Sequence, residues 1–242
     1  MSEPLSATPG TYAPPADLSL FLTRDGSYSL YSQALDERYH SVHGAVQESF
    51  HVFIRMGFEA CTAMPLRVLE VGLGTGLNML LTWVEADLNK RKVEYTALEP
   101  YPLPAAILKA MDHAAALELP ERTSRFLELM ALKEGEVAGP SDHFRYQRLA
   151  TKAQDLDRTK AFDLIYFDAF GPANQAEMWT VEVFRRMFKA LAPGGLLVTY
   201  CAKGDVRRTI QAAGFSVERV QGPVGKKEML RATKPDPRTL DH

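Results

Sequence analysis

Two apolar runs, each ending on an unusual turn, constrain this chain more than any other feature. Phe162-Asp163-Leu164-Ile165-Tyr166-Phe167 leads straight into Asp168-Ala169-Phe170-Gly171-Pro172, and Val68-Leu69-Glu70-Val71 leads into Gly72-Leu73-Gly74-Thr75-Gly76. Such runs read as strands buried on both faces, as in a parallel sheet covered by helices on each side. In an open sheet of this kind ligands sit outside the carboxyl ends of the strands, so Asp168 and the glycine turn face one crevice. A nucleotide-like cofactor and an acidic, aromatic substrate pocket sharing that crevice make an enzyme.

The size of 242 residues suits one α/β domain with some decoration. Apolar residues at 46% and charged residues at 24% are the proportions of an ordinary soluble globular protein. No stretch approaches the roughly 20 apolar residues that span a bilayer, so no membrane association is expected. Met1 to Asp17 hold four prolines and no apolar core, which reads as a mobile leader and not as a secretory signal. Cys61 and Cys201 lie far apart without metal-type spacing, which suits two free thiols in a reducing cytoplasm. The six histidines are scattered singly, and no metal is expected. Charge is uneven: residues 181–240 carry 12 Lys and Arg against 5 Asp and Glu, while the rest of the chain carries 16 against 25. That split marks an anionic partner at one end of the protein, or a solvated helix face.

Strand and helix patterns divide the chain into a leader (1–17), an N-terminal hairpin and helix extension (18–64), a sheet domain (65–233) and a flexible tail (234–242). Leu18–Leu22 and Tyr28–Tyr31 flank Arg24-Asp25-Gly26 as a β-hairpin, and Val46, Phe50, Phe53 and Ile54 recur at helical spacing up to Gly57. Strands are expected at 66–71, 93–98, 144–149, 162–167 and 196–201. Helices are expected at 77–88, 103–111, 121–132, 181–191 and 205–213. Segments 215–220 and 228–232, joined by Gly222-Pro223-Val224-Gly225, read as a terminal antiparallel hairpin. The fold class is therefore α/β, a Rossmann-like parallel sheet with a terminal antiparallel β-hairpin and an N-terminal extension.

The glycine turn departs from a dinucleotide fingerprint, because residue 77 is Leu and the third glycine falls at 76. A G-x-G-x-G turn is the usual one for S-adenosylmethionine, which has no phosphate to cradle. Gly72, Gly74, Thr75, Gly76 and Asn78 are the candidate cofactor contacts there. Glu99 ends the second strand, 23 residues after Gly76, where an acid accepts from a ribose diol. Asp155, after the third strand, is either an acceptor for an adenine amino group or a surface residue near a helix start. Glu70 could face the positively charged methionine end. Asp168 stands where amine methyltransferases hold the amine, with Phe170 and Pro172 beside the flat substrate.

These residues resemble one family closely. Asp36-Glu37-Arg38-Tyr39-His40-Ser41 with Gly44 and Glu48, Gly72-Leu73-Gly74-Thr75-Gly76-Leu77-Asn78, Phe167–Pro172, Met178-Trp179-Thr180, Val206-Arg207-Arg208, Ala213-Gly214-Phe215 and Lys226–Leu230 are similar to the MnmC/MnmD family of the tRNA 5-methylaminomethyl-2-thiouridine pathway. The resemblance covers about residues 18 to 232. It implies a class I S-adenosylmethionine-dependent methyltransferase sheet, puts the catalytic aspartate on Asp168, and makes tRNA, through its anticodon loop, the partner. Many relatives read D-G-F-A-P where this chain has Asp168-Ala169-Phe170-Gly171-Pro172. Bifunctional relatives continue into a flavin-dependent oxidase; this chain ends at His242, so no flavin is expected and a separate enzyme is expected to supply the aminomethyl uridine.

The implied reaction is attack by the primary amine of 5-aminomethyl-(2-thio)uridine at the wobble position on the methyl group of S-adenosylmethionine. Asp168 would bind the ammonium and accept or relay its proton, and alignment of amine, methyl and sulfonium can be worth ~7–11 kcal/mol. A splayed-out wobble base needs a stacking face, for which Phe170 and Tyr200 are candidates. Lys203, Arg207, Arg208, Lys226 and Lys227 are candidates for phosphate contacts, with Glu228 beside them. Two alternatives remain at this stage: a small-amine transferase of the spermidine synthase type, and a non-catalytic S-adenosylmethionine-binding partner subunit.

Overall fold

The computed structural model describes residues 17–239, so the expected leader lies outside the described residues except for Asp17, as do the last three residues of the expected tail. The chain opens with β1 (Leu18–Leu22) and β2 (Tyr28–Ser32), paired antiparallel, and the two-residue β3 (Glu37–Arg38) adds to β2. The turn between β1 and β2 closes through the Thr23 N–H on the Ser27 carbonyl at 2.9 Å, while Asp25 accepts from the Ser27 N–H at 3.1 Å. Short-range acceptors of this kind hold a turn that no core could hold.

A short helix, α1 (Ala45–Ser49), runs into a wider π-helical segment over Phe50–Phe58, which ends with the Glu59 N–H on the Ile54 carbonyl at 2.9 Å. The sequence pattern predicts an ordinary helix here. The wider turn seats Val52, Phe53 and Ile54 in the core and brings Gly57 so close to the sheet that a Cβ there would stand 3.1 Å from Val198 and 3.2 Å from the Tyr166 ring.

From residue 66 strand and helix alternate: β4 (Leu66–Val71), α2 (Leu77–Leu88), β5 (Val93–Leu98), α3 (Ala105–Met111), α4 (His113–Ala116), α5 (Thr123–Met130), β6 (Val137–Ser141), β7 (Phe144–Leu149), β8 (Phe162–Phe167), α6 (Val181–Ala190), β9 (Leu191–Thr199), α7 (Gly204–Ala212), β10 (Ser216–Gln221) and β11 (Glu228–Thr233). The eight strands from β4 onward form one sheet in the order β10-β11-β9-β8-β4-β5-β7-β6. The five central strands β9, β8, β4, β5 and β7 are parallel; β6 and the pair β10–β11 are antiparallel to their neighbours. The order reverses at β4, whose Val71 pairs with Leu98 of β5 on one side and Phe167 of β8 on the other. A crevice at the carboxyl ends of β4 and β8 follows from that reversal.

Four of the five central strands, β4, β5, β7 and β8, match the sequence pattern at their boundaries, and the departures have local reasons. The sequence pattern gives no sign of β6, because Val137-Ala138-Gly139-Pro140-Ser141 shows no alternation and carries both strand-weakening residues; it forms as an edge with a register shift between Ala138 and Ser141. β9 starts at Leu191 rather than 196, since Leu191 pairs with Phe162 ahead of the irregularity at Ala192-Pro193-Gly194-Gly195, and it ends at Thr199, leaving Tyr200 and Cys201 just beyond the strand. The terminal hairpin inserts β11, not β10, against β9.

All six residues of β8 are buried, because both faces of the strand are covered. Leu164 and Tyr166 pack with Phe53, Leu80 and Trp83 on one side; Ile165 and Phe167 pack with Phe184, Ile210 and Trp179 on the other. Each such side chain contributes about 1.5–3 kcal/mol. Asp163, the one charge in the run, is held by Arg67 of β4 through contacts of 2.7 and 2.9 Å and by the Arg67 N–H at 3.0 Å.

The glycine turn is packed against the end of β8. Gly72 has φ +89°, and a Cβ there would lie 2.6 Å from the Asp168 carbonyl oxygen. Gly72→Ala therefore meets both a left-handed backbone and a rigid backbone atom. It should lower unfolding free energy by at least about 1–2 kcal/mol, read from urea denaturation; an unchanged midpoint would show that the two strand ends can part at no cost.

Candidate active site

The crevice opens into a pocket of about 470 Å³ with three walls: the glycine turn and the start of α2, the loop after β8, and the N-terminal extension from Glu37 to His43 with Glu48. Each wall is placed by the fold. The Asp168 N–H donates to the Val71 carbonyl at 2.9 Å, which seats the acid beside the glycine turn.

Asp168 and Asn78 line the base of the pocket, and Glu70 lies wholly buried beneath them, off the pocket wall where the sequence suggested it would meet a ligand. Asn78, in the first turn of α2, donates from Nδ2 to Asp168 Oδ2 at 2.8 Å and to Glu70 Oε1 at 2.9 Å, and the Tyr95 hydroxyl donates to Glu70 Oε2 at 2.8 Å. Glu70 is wholly buried; burial, and next the charge of Asp168, push its carboxyl well above the usual carboxylate range. Asp168 touches the pocket but is walled by protein, and that desolvation raises it from 3.8 to about 7, against the lowering effect of the Asn78 hydrogen bond. A carboxyl poised near neutrality at the end of a central strand is a candidate acid–base group.

On the cofactor side, Gly72, Gly74, Thr75 and Asn78 line the pocket, whereas Gly76 lies behind the turn against Met130. Glu99, at the end of β5, accepts from the Gly74 N–H at 3.1 Å and the Tyr101 N–H at 2.8 Å, with burial raising its pKa. A carboxylate has about four acceptor positions, so two remain for a ligand. Asp155 is exposed; its neighbours Thr151 to Gln154 form the pocket wall instead. Gln154, held by a contact of 3.3 Å to Met178 Sδ, is thus the nearer polar group, and a one-residue shift in a short 3₁₀ turn separates it from the residue the sequence suggested.

On the acceptor side, the loop after β8 is pinned at several points. Gln175 Oε1 accepts from the Phe170 N–H at 3.1 Å, Trp179 Nε1 donates to the Phe170 carbonyl at 2.8 Å, and the Tyr200 hydroxyl donates to the Ala169 carbonyl at 2.9 Å. The Phe170 ring meets Tyr39 edge to face, with centroids 4.9 Å apart. Lys226 lines the pocket, its ammonium 4.3 Å over the Tyr200 ring. Pro172, Lys203, Lys227 and Glu228 are not brought to the pocket wall: Lys203 and Lys227 are exposed, and Glu228 pairs with Arg219 at 3.3 Å. Arg208 pairs with Asp205.

The N-terminal wall was visible in the sequence only as a matched motif. Tyr39 lies against the glycine turn, 3.4 Å from where a Gly74 Cβ would stand. His40 shares a 2.9 Å hydrogen bond with Ser29 Oγ, and burial lowers its pKa to about 4, so it faces the pocket uncharged at pH 7. Glu37 accepts from Asn174 Nδ2, tying this wall to the loop after β8. The signal was there: five polar or titratable residues in a row, Asp36-Glu37-Arg38-Tyr39-His40, in a link too short to make a core of its own.

Among the described residues, no group of three or more His, Cys, Asp or Glu is placed to hold a metal ion, and no helix is long and apolar enough to cross a membrane.

Residues 147–235 match the model of a family described as S-adenosyl-L-methionine-dependent methyltransferase. The chain is similar to the tRNA 5-methylaminomethyl-2-thiouridine biosynthesis bifunctional protein MnmC of Nitrosospira multiformis, 30% identical over 226 residues, covering 86% of this chain and 36% of that protein. The MnmC of Ectopseudomonas mendocina is 30% identical over 234 residues, covering 86% of this chain and 34% of that one. The chain thus spans about a third of the length of the curated relatives it matches. Among solved structures, MnmC2 of Aquifex aeolicus superposes with a TM-score of 0.73 at 25% identity, covering 93% of this chain and 73% of that chain. Spermidine synthase of Thermotoga maritima shares the fold, with a TM-score of 0.52 at 13% identity, covering 92% and 71%.

The buried acid should cost stability at neutral pH. Asp168 titrates at an ordinary 3.8 when unfolded and at about 7 in the fold, so between those values the folded chain binds the extra proton. Its contribution to stability is full below pH 3.8 and is lost as pH rises through about 7. Asp168→Asn, which cannot ionise, should therefore be more stable than the wild type at pH 8 by on the order of 1–2 kcal/mol, with the gap narrowing toward pH 5. Denaturation at the two pH values checks this; a wild type that gains stability between pH 5 and 8 relative to the variant would reverse the sign.

Proposed function

Because the chain belongs to the S-adenosyl-L-methionine-dependent methyltransferase family, with the methyltransferase part of MnmC among its relatives, we propose that it methylates the primary amine of 5-aminomethyl-(2-thio)uridine at the tRNA wobble position. The observation that carries this reading is Asp168: an acid raised to about 7, at the carboxyl end of β8, one amide away from the glycine turn. S-adenosyl-L-methionine supplies the electrophilic methyl group. Gly72, Gly74, Thr75 and Glu99 are its nearest candidate contacts, with Gln154 in place of Asp155.

An alkylamine enters as an ammonium, since its pKa is about 10, and it has no lone pair to give until a proton leaves. To an ordinary aspartate that proton would move uphill by about six pKa units; to an acid near 7 the gap is about three. At 1.36 kcal/mol per unit, burial of Asp168 saves roughly 4 kcal/mol of that step. The freed nitrogen then forms its bond to the methyl carbon as the carbon–sulfur bond breaks, and the electron pair leaves with sulfur. Phe170 and Tyr39 offer aromatic edges and faces for the uracil ring that carries the amine, whereas Lys226 covers one face of Tyr200.

A polyamine substrate fits this pocket less well. Of its acids, Glu48 is neutralised by Lys226 and Glu37 accepts from Asn174, and Glu177 lies exposed at the pocket wall, so no buried pair of free acids is set out for a second ammonium. On this reading tRNA is engaged through its anticodon loop in the cytoplasm.

The test is methyl transfer to tRNA that carries the aminomethyl base, read by mass spectrometry of its nucleosides, with putrescine and a decarboxylated donor as the competing arm. Turnover with the polyamine and none with tRNA would overturn the reading. Asp168→Asn should lose about 10²–10⁴ in rate while cofactor affinity stays within a few-fold. Glu99→Ala should do the reverse, weakening S-adenosyl-L-methionine by about 1.5–3 kcal/mol, or roughly ten- to over a hundredfold; calorimetry showing unchanged affinity would remove Glu99 from the site.

A further inference from the structure

Lys226 was a candidate phosphate contact on sequence grounds, paired with Lys227. The structure separates the two. Lys227 is exposed, while Lys226 turns inward and donates to Glu48 Oε1 at 2.7 Å with its ammonium over the Tyr200 ring. Glu48 is buried, and its other oxygen accepts from the Ser41 N–H at 2.7 Å. Glu48 comes from α1, Lys226 from the turn between β10 and β11, and Tyr200 from the end of β9; its hydroxyl reaches the carbonyl of Ala169, next to Asp168. Four segments distant in sequence meet at one wall of the pocket.

We propose that Glu48 and Lys226 form a positioning pair: Lys226 neutralises the Glu48 carboxylate that walls the pocket, so the acceptor amine is handed to Asp168 and not held as an ammonium between two acids. The inference rests on the amine-methylation reading and deepens it. An ammonium lodged between two bare carboxylates keeps its proton, because opposite charges favour the charged form. A second bare carboxylate also raises the pKa of Asp168 and delays its ionisation. With Lys226 in place the wall is close to neutral, and the carboxylate keeps its geometric role of fixing the Ser41 backbone.

Asp168 is faced by Glu70 from β4, Asn78 from α2, Glu48 from α1, Lys226 from the β10–β11 turn and Tyr200 beyond β9. Burial is the largest influence on it; of the charged groups around it Glu48 raises its pKa and Lys226 lowers it. Glu70 is pushed well above the usual carboxylate range, Tyr200 well above the usual phenol range, and His40, which feels both Glu48 and Lys226, is uncharged at pH 7. Glu48 and Lys226 are thus the pair whose separate removal changes the charge near Asp168 in opposite directions.

The experiment is the pH dependence of kcat for Lys226→Met, Glu48→Gln and the double variant, with tRNA and S-adenosyl-L-methionine saturating. Activity rises on the acid side as Asp168 ionises. Lys226→Met bares Glu48 and should move that limb to higher pH by about one unit; Glu48→Gln leaves Lys226 uncompensated and should move it lower by a similar amount. The double variant should return toward the wild-type limb, which a merely structural latch would not do. Single variants that both leave the limb in place, or both move it the same way, would overturn the pair. The same titration read by carbon NMR of the Asp168 carboxyl in the cofactor-bound chain needs no tRNA. A wild type inactive on tRNA would therefore sink the proposed function, while the NMR shifts would still decide on the pair.

Discussion

Two carboxyl groups share one amide, and the rest of the site depends on that arrangement. Glu70 and Asp168 end adjacent strands in a region too dry and too close for both to ionise freely. Asn78 satisfies one oxygen of each, and Tyr95 a second oxygen of Glu70, so the acids can be buried without being orphaned. For Asn78 to reach both, α2 must begin directly over the junction of β4 and β8. That requires a turn with no side chain at Gly72, where the Asp168 carbonyl passes within 2.6 Å of any Cβ. The glycine turn is therefore a packing device for the acid site as well as a wall of the pocket. One constraint joins the two halves of the crevice.

A pocket at the edge of an open sheet is exposed to water unless something covers it, and an acid in water keeps an ordinary pKa. The cover is the N-terminal extension. Tyr39 against Gly74 and Phe170, Glu37 with Asn174, and Glu48 with Lys226 tie it to all the other walls. Each contact is modest alone, an aromatic edge contact being worth about 0.5–1.5 kcal/mol. Their combined effect is to exclude solvent from Asp168, so the raised pKa on which the proposed proton transfer depends comes from residues some 130 positions away in sequence. Side chains from two ends of the chain set the chemistry of its middle.

The central strands were legible in the sequence because burial on both faces leaves a mark that needs no tertiary information: Phe162 to Phe167 could be nothing but a covered strand. The glycine turn was legible for the same kind of reason, since three glycines in five residues have few structural uses. What could not be read was direction. Asp155 and Gln154 are neighbours on a short 3₁₀ turn, and only the backbone decides which one faces the pocket. Lys226 and Lys227 are identical in type and adjacent, yet one is drawn inward by Glu48, 178 residues away. The strand at Val137–Ser141 was hidden because an edge strand needs pairing on one side only and can carry Gly139 and Pro140. Local pattern reports burial well and partner choice poorly.

The charge asymmetry shows how pairing and field differ. Every acid between residues 181 and 240 is paired with a cation of the same segment: Glu182 with Arg185, Asp205 with Arg208, Glu218 with Arg231, Glu228 with Arg219 and Asp236 with Arg238. Most of these pairs lie at the surface, where each is worth about 0–1 kcal/mol, so they say little about stability. Each pair sums to zero, so five of the twelve cations are cancelled within the segment, and Lys189 and Lys226 are paired with Asp157 and Glu48 outside it. Five basic residues are left over as a positive surplus, the exposed Lys203 and Lys227 among them. A polyanion responds to that summed potential at distances near 10 Å, before any single contact forms. For the proposed tRNA substrate that surplus would act before contact, even though Lys226 is committed to the pocket wall by Glu48.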